Sequence, residues 1–142
     1  GLTNDMVIVG YGASELEDLL ELELQQTGRY VNPDPNPDKG YFYRSDHISL
    51  AKRGVPMLYA GGGFDLVNGG REAGFALAES YRLDAYHGVA DEYDEAWNLE
   101  GLNQSIDVIF SIGNKLANNS QWPNWYEGNE FKSIRDASRA GK

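Results

Sequence analysis

The chain has 142 residues, 41% hydrophobic and 12% aromatic, which is enough for one compact domain with its own core; no stretch reads as a long linker. With 22 acidic side chains against 12 basic ones the formal charge is −10, which disfavours nucleic acid and anionic lipid as partners, and no apolar run approaches the roughly 20 residues that span a bilayer. Cysteine is absent, so disulfides, thiolate metal sites and a cysteine nucleophile are excluded, and His, Asp and Glu are left as metal ligands.

The first five residues have neither the basic head nor the apolar core of a signal peptide, so any export signal is expected upstream or already removed. Residues 6–9 form a continuous apolar, β-branched run that predicts a buried strand ending at Gly10-Tyr11-Gly12. Ser14 and Glu17 have capping-box spacing ahead of a helix carrying Leu16, Leu19, Leu20 and Leu24, and Gly28 is placed to end it. Residues 32–39, with Pro33, Pro35 and Pro37 among Asn and Asp, can form neither a helix interior nor a central strand, so a surface loop is expected.

Beyond Tyr41-Phe42-Tyr43 and Arg44-Ser45-Asp46-His47, a short helical stretch is expected to reach Arg53. A second strand over 55–60 then closes on Gly61-Gly62-Gly63. Residues 74–82 suit a modest helix. Residues 99–118 suit a longer one, whose Leu102, Ile106, Ile109, Phe110, Gly113, Leu116 and Ala117 share a face that reads as core. From Gln121 onward, Trp122, Trp125, Phe131 and Ile134 stand among polar residues, so this tail is expected to pack on the body. Strands alternating with helices argue for an α/β domain with a mostly parallel sheet flanked by helices. Two or three strands make such a sheet thin, so these read as one side of a larger one, entered part-way through a domain.

The two histidines, His47 and His87, both stand near acids: Asp46 beside the first, Asp91 and Glu92 shortly after the second. His87 lies in a polar loop where an imidazole can offer one nitrogen to a metal while a neighbour orients the other; an ordinary loop histidine bonded to backbone is the alternative. For Asp46-His47 the choice is between a substrate-binding pair and a helix N-cap at Asp46 with His47 in the first turn, and capping is favoured. Asp34, Asn36 and Asp38 start like a calcium loop, but Gly40 comes one position late and Ser45 stands where the bidentate Glu belongs. The Gly61-Gly62-Gly63 run lacks the continuation of a phosphate loop and reads as a tight turn, and no G-x-S-x-G elbow supports a serine hydrolase.

The segment from Gly40 to His47, followed by Ala51-Lys52-Arg53-Gly54-Val55-Pro56, resembles the stretch of M28 metallopeptidases that carries a ser-asp-his signature before a gly-val-pro strand. Asp84-Ala85-Tyr86-His87 with Asp91-Glu92-Tyr93 resembles the family's later motif, where a histidine after an aromatic residue is the last ligand of a two-zinc centre. The ending, Trp122-Pro123 through Arg139, looks like the C-terminal extension of a bacterial subgroup, so the resemblance covers essentially residues 1–142, with 121–142 as a packed extension.

The resemblance implies the C-terminal half of a zinc-exopeptidase (phosphorylase/hydrolase-like) domain, from an aminopeptidase that releases N-terminal amino acids from peptides. It implies His87 as a zinc ligand, catalytic roles for Tyr86 and Asp46, and substrate contacts from Arg44, Ser45 and His47. The family's other ligands, an earlier histidine, a bridging aspartate, a glutamate pair and a further aspartate, have no counterpart here. A two-zinc site needs several protein ligands and a carboxylate base to activate water. This chain alone is therefore expected to be inactive and to hold zinc weakly or not at all, to self-associate, and to need the missing N-terminal half of its domain. Export to the periplasm or outside the cell is a further implication. Two other readings stay open: a glutaminyl cyclase on the same scaffold, and a non-catalytic M28-like binding module.

Overall fold

The structure, a computed structural model, describes residues 1–141. In chain order it contains β1 (Asp5–Ile8), α1 (Leu16–Gln25), β2 (Tyr30–Pro33), a 3-10 turn (Pro37–Lys39), α2 (Tyr41–Arg44), α3 (Ile48–Ala51), β3 (Ala60–Gly62), α4 (Gly70–Asp84), α5 (Glu100–Ala117) and α6 (Lys132–Arg139). The fold is α/β, with three strands in the order β2-β1-β3 and helices around them. No described helix is long and apolar enough to cross a membrane.

The sheet is mixed rather than mostly parallel: β1 pairs parallel with β2 and antiparallel with β3. The first pairing follows from α1, which carries the chain back so that β2 starts beside the start of β1. The second follows from what is missing between β2 and β3. Helices α2 and α3 have 4 residues each, about 6 Å of rise apiece, too little to return the chain along a strand of about 13 Å. The chain therefore stays at the C-terminal end of β1 and re-enters the sheet from there. Of the expected strand over 55–60 only its end pairs in β3, Tyr59 contributing the carbonyl that receives Val9 N–H at 2.9 Å; Pro56 has no N–H to give.

β2 overlaps the segment expected to be a loop. Tyr30 N–H bonds to Asn4 O and Asp34 N–H to Ile8 O, both at 3.0 Å, so alternate residues face β1 and the nitrogen of Pro33 falls on the open side. Proline is tolerated there because the strand is an edge.

Met6 and Ile8 project to the side of the sheet covered by α1 and α5, where they meet Leu20, Leu24, Val108 and Ile112 in the first core. α5 buries a different stripe from the one expected. Val108 and Ile112 are inside and Leu116 half-buried, whereas Leu102, Ile106, Ile109 and Phe110 are exposed, Phe110 by 72%. A second core joins Ala13, Phe42 and Ala51 to Trp125 and Phe131, so the tail does pack on the body, although Trp122 and Ile134 stay exposed. At the start of α1 the capping box forms only by half. Glu17 is buried and accepts from the N–H groups of Gly12 (2.8 Å), Ala13 (2.6 Å) and Ser14 (3.2 Å), while the Ser14 hydroxyl leaves the helix and donates to Met57 O at 3.0 Å.

Candidate functional site

Ligands of open α/β sheets bind outside the carboxyl ends of the strands. Here that end carries a groove of about 540 Å³ floored by Val7 and Val9, walled by the 34–41 segment on one side and by Phe75, Ala78 and Arg82 of α4 on the other. Phe64 stacks on Phe75 with ring centroids 4.5 Å apart, which makes the α4 wall flat and apolar. Charges stand only at the rim: Asp34, Lys39, Glu79 and Arg82. Glu79 and Arg82 pair at 2.6 Å with both side chains more than half exposed, so the pair orders the rim more than it stabilises the fold. Its hydrogen bond holds the Glu79 carboxyl below the usual carboxylate range and raises the guanidinium.

The 40–47 motif meets the far wall only at its start, and Arg44, Ser45, Asp46 and His47 are not among the lining residues. Tyr41 lines the groove. Arg44 ends α2, exposed, with Nη1 3.4 Å from Lys39 O, and Ser45 Oγ donates to Tyr41 O at 3.0 Å. Asp46 does not cap the following helix: α3 has His47 at its N-cap with no side-chain cap bond, and Ile48 N–H goes to the carbonyl of Ser45. The Asp46 carboxylate is thus left free for solvent, without a hydrogen bond among the described residues. His47 is wedged between the Phe42 ring (4.7 Å, edge-on) and the Tyr59 ring (5.4 Å). Its buried Nε2 has no partner among the described residues. Burial pushes the His47 pKa down, opposed by the nearby Asp46 charge.

The second motif follows α4. Asp91 folds back on the helix end, accepting Tyr81 OH at 2.7 Å on one oxygen and His87 N–H at 3.1 Å on the other. These bonds, the tyrosine's first, hold the Asp91 carboxyl low and raise the Tyr81 hydroxyl. His87 is the one non-glycine described residue with positive φ, at 58°, a conformation that costs a side-chain-bearing residue energy and is kept where the surroundings enforce it. Its ring stacks on Tyr86 at 3.9 Å and both side chains are exposed. Asp91 engages the backbone of His87 and leaves the imidazole unengaged.

Among the described residues no hydrogen bond, ion pair or ring contact joins the 44–47 set to Tyr86 and His87. Nor does any group of three or more His, Asp and Glu gather within reach of one metal ion. One imidazole, with its nearest carboxylate already spent on two donors, does not make a zinc site, so the residues present do not by themselves fit the metal that the motifs imply.

Several residues that shape the site gave no sequence signal. Asp5, fully buried at the start of β1, accepts from Asn32 Nδ2 at 2.7 Å and Asp65 N–H at 2.8 Å, which ties the glycine turn after β3 to the sheet. Gly63 is required by that contact, since a Cβ there would overlap the Asp5 carboxylate. The tight-turn reading fails for Gly61 and Gly62, which are strand residues of β3 paired with Val7 and Met6; Gly63 alone lies beyond the strand, and its cause is an acid nearly sixty positions away.

A family model for peptidase family M28 matches residues 2–112. Comparison with curated proteins and with solved structures finds no match. The matched stretch holds both motifs, both walls of the groove and all three strands, and leaves out the tail. The chain belongs to peptidase family M28.

Proposed function

We propose that this chain contributes to a zinc-dependent aminopeptidase that removes N-terminal amino acids from peptides, with the groove between α4 and the 34–41 segment receiving substrate. The observation that carries this is the presentation of His87: its backbone is fixed by Asp91 in a costly left-handed conformation while its ring stays in solvent against Tyr86. Such a posture suits a ligand awaiting a metal better than a loop histidine at rest. In this reading Tyr86 lies beside the reacting carbonyl, Asp46 supports the pocket, and Arg44, Ser45 and His47 contact the peptide.

The remaining ligands would come from polypeptide added at the β3 edge. Val9 bonds to Tyr59, so by antiparallel alternation Ala60 and Gly62 turn their N–H and C=O groups away from β1. Apolar Leu77 and Leu102 flank that open edge. A strand paired there would extend the sheet and bring further side chains to the groove. On this account residues 1–142 alone do not hydrolyse peptides.

The test pairs two preparations, the chain alone and the chain with its domain partner, each assayed with zinc on amino-acid anilides and on glutaminyl peptides. Anilide hydrolysis only by the completed domain, lost in His87→Ala together with at least tenfold in zinc affinity, is expected. Full activity of the chain alone would sink the account of completion. Cyclisation of glutaminyl peptides, or zinc affinity unchanged in His87→Ala, would sink the aminopeptidase reading.

A further inference from the structure

Residues 113–141 lie outside the family match, yet they supply Trp125 and Phe131 to the second core. Trp125 is 1% exposed, and its indole N–H donates to Gly54 O at 3.1 Å. Its backbone lies in an isolated antiparallel bridge with Ser14, flanked by bonds from Glu15 N–H to Asn124 O and from Tyr126 N–H to Ala13 O, each at 2.9 Å. Phe131 packs 5.3 Å from the Trp125 ring. Both belong to the cluster that contains Phe42, and Phe42 is the ring against which His47 rests. At Gly54, whose φ is +81°, a Cβ would come within 2.7 Å of Arg135 N, so the first turn of α6 is pressed onto the end of the motif segment. Across the surface, Tyr43 OH donates to Glu130 Oε1 at 2.8 Å. Asn129 and Phe131 also complete a cavity of about 330 Å³ whose other walls are Gly10, Gly12, Tyr41 and Tyr43.

We propose that residues 122–135 are a positioning clamp for the 41–47 motif, with Trp125 fixing its base and Glu130 fixing Tyr43 at the mouth of that cavity. The contacts fall on two places, the 42–54 segment and the 13–18 start of α1, where Tyr126 OH also donates to Asp18 Oδ1 at 2.7 Å. The first core, which joins the sheet to α1 and α5, contains no residue beyond Leu116. The tail therefore braces the motif segment against the start of α1 and takes no part in the first core. Trp125 and Glu130 are positioning residues and touch no substrate themselves; their importance for turnover rests on the reading of the groove given above.

Three variants test this in the full chain: Trp125→Phe, which keeps an aromatic but smaller ring and loses the bond to Gly54, and Glu130→Ala beside Glu130→Gln, which can still accept from Tyr43. Amide exchange of residues 41–48 is expected to accelerate about tenfold in Trp125→Phe, the scale of one lost hydrogen bond, while Met6, Ile8 and Val108 change less than about twofold. The His47 imidazole, followed by NMR, is expected to titrate closer to its ordinary value as Phe42 loosens. Glu130→Ala is expected to accelerate exchange at Tyr43 and Glu130→Gln to restore it. In the completed enzyme these variants raise KM with little change in kcat. Equal acceleration in both cores, or none at 41–48, overturns the clamp. Exchange and titration need no turnover, so a protein that fails to cleave peptides defeats the functional reading and leaves this result standing.

Discussion

The Asp5 carboxylate and Nε2 of the half-buried His47 are both out of solvent, for opposite ends. The Asp5 carboxylate has no solvent, and its acceptor capacity is met by Asn32 and by the backbone of the turn after β3. Asp5→Ala removes the acceptor and strands those donors, a loss of about 3 kcal/mol expected from the cost of unpaired buried groups. Urea unfolding measures it, and a change under about 1 kcal/mol would mean that the turn finds other partners. His47 is held in its neutral form, because burial lowers its folded pKa below the ordinary value of about 6.5. Between the two pKa values the unfolded chain binds more protons, so this contribution is complete above about pH 6.5 and is lost as the pH falls below it. Urea midpoints at pH 7.5 and 5.5 are expected to separate less in His47→Gln than in the unaltered chain; equal separations would show that His47 does not titrate with unfolding.

At the scale of elements, α5 shows how a helix can be read correctly in extent and wrongly in orientation. The expected span of 99–118 and the observed Glu100–Ala117 agree within a residue or two, because propensity and period are local. The apolar residues, however, occupy more than one stripe, and periodicity cannot say which stripe meets the sheet. Ile112→Ala is expected to cost about 2–4 kcal/mol, and Phe110→Ala to change stability by less than about 0.5 kcal/mol although the ring is larger. Equal losses in urea unfolding would show that the Phe110 stripe is also covered. Ser14 makes the same point on a smaller scale. Its spacing to Glu17 marks the helix start, and the carbonyl its hydroxyl chooses lies 43 positions away.

At the scale of the molecule, the exposed Leu102, Ile106, Ile109 and Phe110 lie on α5, the helix whose first turns lie beside the open β3 edge. Apolar surface beside unpaired strand backbone favours association, against the mutual repulsion of chains with a net charge of −10. Light scattering of the chain alone is expected to give a mass above one chain that rises with salt as repulsion is screened. The double variant Ile106→Lys, Phe110→Glu should return it to the mass of a single chain. A monomer at every salt concentration would show that this face is stable in water by itself.

Several features were legible in the sequence alone: the α/β class, the span of α5 and membership of the family. Each depends on residues close together in the chain, where period, turn chemistry and motif spacing act directly. Only the tertiary structure decided the rest. β3 runs against β1 because two four-residue helices cannot carry the chain back, and Pro33 enters a strand because that strand is an edge. Gly63 answers to Asp5, Trp125 reaches Gly54, and Asp91 holds the backbone of His87 rather than its ring. A sequence states what each residue can offer; which donor, face or edge receives the offer depends on the chain's path through space, and that path is set by packing over long separations.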